Sequence, residues 1–145
     1  MIGIVLAAHG PLPEALLESA RMIAGEFEQI SSISLMPGDS LEGLVERIRA
    51  AVDEVNSGDG VLILIDLFGG TPSNAATLIT QQVEHTYAAS GVNVPMMLET
   101  LLTRPHASDA RSLAETAVAS GSKGIVNIVD AFQAYREGKS SAESD

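Results

Sequence analysis

Two unbroken apolar runs, Met1 to Ala8 and Val61 to Ile65, constrain this chain more than any other feature. Neither alternates with polar residues, so each reads as a strand buried on both faces, inside a parallel sheet covered by helices. Each run also ends on a polar side chain. The first delivers His9, followed at once by Gly10; the second delivers Asp66, followed by Leu67-Phe68-Gly69-Gly70-Thr71-Pro72-Ser73-Asn74. Open α/β sheets bind ligands at the carboxyl ends of their strands. The two runs therefore aim an imidazole and a carboxylate at one edge, beside a glycine-rich turn into a helix. That arrangement suits chemistry on a phosphate.

The remaining segments alternate strand with helix, which predicts an open, mostly parallel, doubly wound α/β sheet of about four strands with helices on both faces. After Gly10-Pro11-Leu12-Pro13 a helix runs to about Ile23, with Gly25 as its stop. Ile30 to Leu35 reads as a weaker strand, its serines alternating with Ile and Leu. Pro37-Gly38 is a turn, and Asp39 with Glu42 has capping-box spacing. Leu41, Leu44, Val45, Ile48, Val52 and Val55 then repeat at helical period. A helix is expected from Thr71-Pro72 and a strand over Thr86–Ala89. A short apolar helix follows over Pro95–Leu102, and another is capped by Ser108 or Asp109 with Gly121 past its end. Gly124 to Ile128 reads as a final short strand. Residues 1–130 are expected to form one domain, and 131–145 a solvated, partly disordered tail.

Composition narrows the functional classes. The chain has 145 residues, enough to bury a real core, and no cysteine, which excludes a disulfide framework and a thiolate nucleophile. No apolar segment reaches the ~20 residues a membrane span needs, and the first strand lacks the basic flank of a signal peptide. A cytoplasmic protein is expected. Net charge is −11, so a basic nucleic-acid-binding surface is not expected; the charge by itself reads first as solubility, and beside that it suits a partner with a basic docking face.

His9 is the candidate nucleophile. A neutral imidazole attacks phosphorus through one bare ring nitrogen while the other carries the proton, and a carboxylate accepting that proton fixes the tautomer. Asp66 is placed for this, because adjacent parallel strands end side by side. Gly10 lets a large partner approach the ring. The amides of Gly69 and Gly70, the N-terminus of the next helix, and the hydroxyls of Thr71 and Ser73 are candidate phosphoryl-binding groups. Duller readings stand beside these: His9 bonded to a backbone carbonyl, Asp66 as a turn residue, Gly69-Gly70-Thr71 as a tight turn. His85 and His106 read as surface residues, Arg104 as an exposed loop cation, and Met96-Met97-Leu98 as packing.

Four motifs in order carry a resemblance over nearly the whole chain, to about Ile128: Ala7-Ala8-His9-Gly10, Pro37-Gly38-Asp39, Asp66-Leu67-Phe68-Gly69-Gly70-Thr71-Pro72 and Ser90-Gly91-Val92-Asn93-Val94-Pro95-Met96. Together they resemble the IIA component of mannose-type sugar phosphotransferase systems. The resemblance implies a phosphocarrier whose histidine, matched by His9, takes a phosphoryl group from HPr on Nε2 and passes it to a IIB component. It implies that Asp66 orients the imidazole through Nδ1 and that Thr71, where the family often has Ser, contacts the phosphoryl group. Phe68 stands where members often carry Trp. The resemblance implies no metal or nucleotide cofactor, contact with the membrane only through the IIC/IID permease, and IIB as a separate chain. It also implies a homodimer that exchanges the Gly124–Ile128 strand.

Two other classes fit parts of the pattern. Sirohydrochlorin-type chelatases also end their first strand in His-Gly, but follow it with Ser-Arg where this chain has Pro11-Leu12; they would need His85 or His106 as a second ligand. A non-catalytic binding module on the same scaffold would bind partners without a covalent intermediate.

Overall fold

The computed structural model describes residues 1–144, with side chains described through residue 138. Strands β1 (Gly3–His9), β2 (Ile30–Leu35), β3 (Val61–Ile65) and β4 (Thr86–Ala89) form one sheet in the order β2-β1-β3-β4, and every neighbouring pair is parallel. The helices are α1 (Leu12–Ala24), α2 (Leu41–Val55), α3 (Thr71–Gln82), α4 (Val94–Thr103), α5 (Ala110–Lys123) and α6 (Ile128–Ser144), with a short 3-10 turn over Arg104–His106.

The unbroken apolar runs form the two central strands because both of their faces are covered. Ile4, Leu6, Leu62 and Leu64 point into one core with Leu17, Ala20, Met97, Leu101, Leu113 and Ala117 of α1, α4 and α5. Val5, Ala7, Ile63 and Ile65 point the other way, against Leu44, Ile48 and Val52 of α2 and Ile79 of α3. Strand period two sends alternate residues to opposite faces, so each run has to be apolar at every position. Met96 and Met97 are both buried, as packing residues.

The order β2-β1-β3-β4 makes the gap between β1 and β3 the point where the chain's progress across the sheet reverses. Ligand crevices of open α/β sheets form at such points. His9 and Asp66 end the two strands that flank it.

Five expectations change. The helix α2 is capped by Ser40, whose side chain accepts from Gly43 N at 3.0 Å; Asp39 instead accepts from Met36 N at 2.8 Å and pins the preceding turn. Gly121 lies inside α5 rather than beyond it, because α5 runs close to α4: a Cβ there would come within 2.9 Å of Met96 Cε. Gly124–Ile128 forms no strand within the chain. Gly124 ends α5, Ile125 to Asn127 follow without regular structure, and Ile128 opens α6. The stretch expected as a tail is helical backbone through Ser144, while Asp145 lies outside the described residues. Arg104, finally, is no exposed cation. It is 3% exposed and donates through Nη1 to Ile2 O at 3.4 Å and Gln29 O at 3.2 Å, and through Nη2 to Glu28 O. Burial pushes its guanidinium below the ordinary value, and the charge of Glu28 offsets part of this.

Candidate functional site

The site is assembled at the carboxyl ends of β1 and β3, beside the end of β2. β1 carries His9 to the carboxyl edge, where it lies level with Leu35 of β2. Gly10 then turns the chain at φ +60°, a conformation that favours glycine. Its amide donates to Leu35 O at 2.9 Å, and a Cβ at this position would meet only open space. Gly10 therefore acts by leaving clearance beside the ring, its own N–H being already committed.

Asp66 follows β3 and holds His9 twice. One carboxylate oxygen, Oδ2, lies 2.8 Å from His9 Nδ1 and accepts from His9 N at 3.1 Å; the other, Oδ1, accepts from Leu67 N at 3.0 Å. Burial pushes the Asp66 carboxyl up, but the bonds from the His9 ring and backbone and the His9 charge outweigh it, leaving the group below its ordinary value. The carboxylate is shielded, its side chain 12% exposed, while that of His9 is 48% exposed. The imidazole thus presents Nε2 outward, with Nδ1 committed to the carboxylate.

Gly69 and Gly70 take φ of +86° and +99°, which lets the chain double back into α3. Both are exposed, and Gly70 occupies the N-cap position of the helix. Thr71, partly exposed, and Ser73 belong to the first turn, whose N–H groups have no intrahelical acceptor. Pro72 between them has no N–H to offer. Ser73 is only 5% exposed, so its hydroxyl is buried where that of Thr71 is not.

A fourth segment borders the site without having been singled out for it. Val92 N donates to Ile65 O at 3.0 Å, continuing the β3 ladder right beside Asp66. Asn93 then caps α4 at Met96 N (2.9 Å) and donates from Nδ2 to Gly121 O (3.1 Å). The signal was present as the Ser90–Met96 motif, but nothing in the residue types ties a valine amide to a neighbouring strand. Met36 and Leu67, exposed just past β2 and β3, were likewise legible only as the residues that follow strand ends.

The other histidines are elsewhere. His85 precedes β4, its carbonyl accepting from Val61 N at the start of β3, and His106 closes the turn opened by Arg104, which bonds Ile2. Both lie at the amino edge of the sheet, and neither joins His9. Among the described residues no group of three or more His, Cys, Asp or Glu side chains is placed to hold a metal ion. No helix among them is long and apolar enough to cross a membrane.

The chain is similar to known proteins in sequence and in fold. The EIIA-man family profile, described as PTS system fructose IIA component, matches residues 3–118. The mannose-specific EIIAB component of Escherichia coli K12 is 39% identical over 124 residues, which are 86% of this chain and 38% of that protein. The chain thus spans well under half the length of that relative. The fructose-specific EIIA component of Bacillus subtilis 168 is 37% identical over 106 residues, 73% of each chain. The crystal structure of EIIA from Streptococcus agalactiae superposes with a TM-score of 0.82 at 29% identity, covering 90% of this chain and 99% of that one. The resemblance drawn from four motifs and the open α/β fold of the sheet agree with these matches. The chain belongs to the EIIA-man family of sugar phosphotransferase-system IIA components.

Proposed function

We propose that the protein is a histidine phosphocarrier of a sugar phosphotransferase system, accepting a phosphoryl group from phospho-HPr and passing it to a IIB component. The observation that carries this reading is the 2.8 Å contact between His9 Nδ1 and Asp66 Oδ2, which leaves Nε2 as the ring atom facing outward. With Nδ1–H donated to the carboxylate, the Nε2 lone pair attacks phosphorus in line while the P–N bond to the donor histidine breaks. Asp66 stabilises the positive charge that builds on the imidazole. Transfer onward is the same step in reverse, with His9 as leaving group.

Phosphoryl transfer of this kind passes through a loose transition state, so its catalysis is positioning and electrostatics. The first-turn amides of α3 at Gly70, Thr71 and Ser73, the Gly69 amide and the Thr71 hydroxyl are the groups we assign to the phosphoryl oxygens. Gly10 supplies clearance for the donor. No metal or nucleotide enters this mechanism.

The same reading makes the protein cytoplasmic, met by the membrane only through a permease. It also makes the protein a homodimer. Supporting the dimer, β4 is an edge strand, and an apolar groove of about 480 Å³ between Tyr87 and the α5 residues Ala114 and Val118 lies beside it. Ile125, Val126 and Ile128 are exposed in the single chain, as a segment exchanged into a partner's groove would be.

Incubation with phosphoenolpyruvate, enzyme I and HPr, followed by intact mass, tests the assignment. One acid-labile phosphoryl group per chain is expected, absent in His9→Ala; failure of wild-type labelling with competent HPr overturns it.

A further inference from the structure

We propose that a cavity of about 510 Å³ at the amino edge of the sheet, the end opposite His9, is a binding site for a small hydroxylated anion. Its walls come from the segments that lead into three strands and out of α4: Ile2 before β1, Asp59 before β3, His85 before β4, and Arg104, Pro105 and Ser108 after α4. A volume of this size is within the ordinary range of small-molecule sites. β1 spans seven residues, so at about 3.3 Å per residue the cavity lies roughly 20 Å from His9. A ligand there neither touches His9 nor depends on its phosphorylation.

Arg104 supplies the charge. It is 3% exposed, and its Nη1 and Nη2 are spent on the carbonyls of Ile2, Glu28 and Gln29, but its Nε has no hydrogen-bond partner among the described residues. Nor does any carboxylate among them form an ion pair with it. A buried cation with an idle N–H is costly to keep, and such groups are normally matched by an anion or an acceptor. The backbone around it is strained as well. Gln29 and His85 are the only non-glycine residues with positive φ among the described residues, at +52° and +58°. Gln29 gives its carbonyl to Arg104, and His85 lines the cavity. Strain of this kind persists where the surroundings fix it, and it gathers at functional sites. The acid group of a ligand would face Arg104 and the His85 imidazole. Its hydroxyls would face Asp59, whose carboxylate holds the Met1 amino group at 2.5 Å yet keeps lone pairs to spare, and Ser108, whose Oγ lies 3.0 Å from Ser112 Oγ. Asp59 repels a bare anion and rewards one that brings hydroxyls, which narrows the class.

Amide NMR shifts of the isotope-labelled protein, titrated with glucose 6-phosphate, gluconate, inorganic phosphate and glucose, locate the binding and grade it. Glucose 6-phosphate or gluconate is expected to move the amides of residues 58–60, 85, 104 and 106–108, and the tighter of the two identifies the acid group. Inorganic phosphate should bind about 10-fold more weakly, and glucose not at all. His85→Asn keeps a residue that tolerates positive φ and should weaken binding about 10-fold. In Arg104→Lys the rise in thermal midpoint that the ligand gives the wild type should be lost, whatever the variant's own midpoint. Shifts confined to residues 9–10 and 69–73, the edge that carries His9, overturn the site, as does the absence of shifts with all four probes. Equal affinity for inorganic phosphate and the hydroxylated probes overturns the part given to Asp59 and Ser108. Binding unaltered in both variants overturns the part given to His85 and Arg104.

Discussion

At the carboxyl ends of the strands, His9 keeps about half of its side chain in solvent and commits one ring nitrogen to Asp66; at the amino ends, Arg104 is 3% exposed and donates to three backbone carbonyls. Both groups are polar and both sit against the central sheet. The difference lies in what is left over. Arg104 ties the turn after α4 to the start of β1 and to the loop before β2, holding Gln29 at φ +52°. His9 retains a nitrogen with nothing to do until another molecule arrives. The buried guanidinium spends both of its Nη atoms on the fold's own carbonyls, whereas the imidazole keeps an edge in solvent.

Exchanging the two roles by mutation is the sharpest test of that contrast. Arg104→Ala leaves the carbonyls of Ile2, Glu28 and Gln29 without their shared donor inside the protein and should cost about 2–4 kcal/mol. Urea denaturation measures that loss, and the fraction that remains folded should still accept phosphate at His9. A variant of unchanged stability would mean the buried guanidinium is no staple. Asp66→Asn should do the reverse. It is expected to slow phosphoryl acceptance about 100-fold by losing the tautomer lock and the stabilising charge, with a smaller stability loss.

That smaller loss carries a pH signature. The Asp66 carboxyl titrates below its ordinary value in the folded protein, so the unfolded chain takes up its proton first as pH falls. The stability that Asp66 adds is complete above the unfolded value of about 3.9 and disappears as pH drops through the lower folded one. The gap between wild type and Asp66→Asn should therefore be full at pH 7 and close in strong acid. A gap independent of pH would contradict the assignment of the bond to a carboxylate. The smallest effect belongs to a position remote from both ends' chemistry: Ser40→Ala removes the α2 cap and should cost about 1 kcal/mol in thermal denaturation, leaving transfer rates alone.

The central strands and the pair they carry were legible because burial on both faces demands continuous apolar sequence, and because the polar residue ending each run has to emerge at the edge. Arg104 was misread for the converse reason: a loop arginine looks solvent-exposed unless one knows which carbonyls the fold brings under it. Asp39 and Ser40 both have capping side chains, and spacing alone does not say which one faces the first turn. Gly124–Ile128 has the composition of a strand, but it joins neither edge of the sheet within this chain, lying between the end of α5 and the start of α6. Beyond it, Ala131, Gln133, Ala134, Arg136 and Glu137 are good helix formers, which is why the segment expected as a tail adopts α6.

The bond between His9 and Asp66 joins residues 57 positions apart, across the seam where β1 meets β3. Neither strand brings these groups together alone, and no local turn or single helix substitutes for the seam. On the phosphocarrier proposal, competence for phosphoryl acceptance arises only when the middle of the sheet has closed. Acid-labile labelling of His9 can consequently serve as a folding assay for that one long-range pairing, reporting on the centre of the molecule from an atom at its surface.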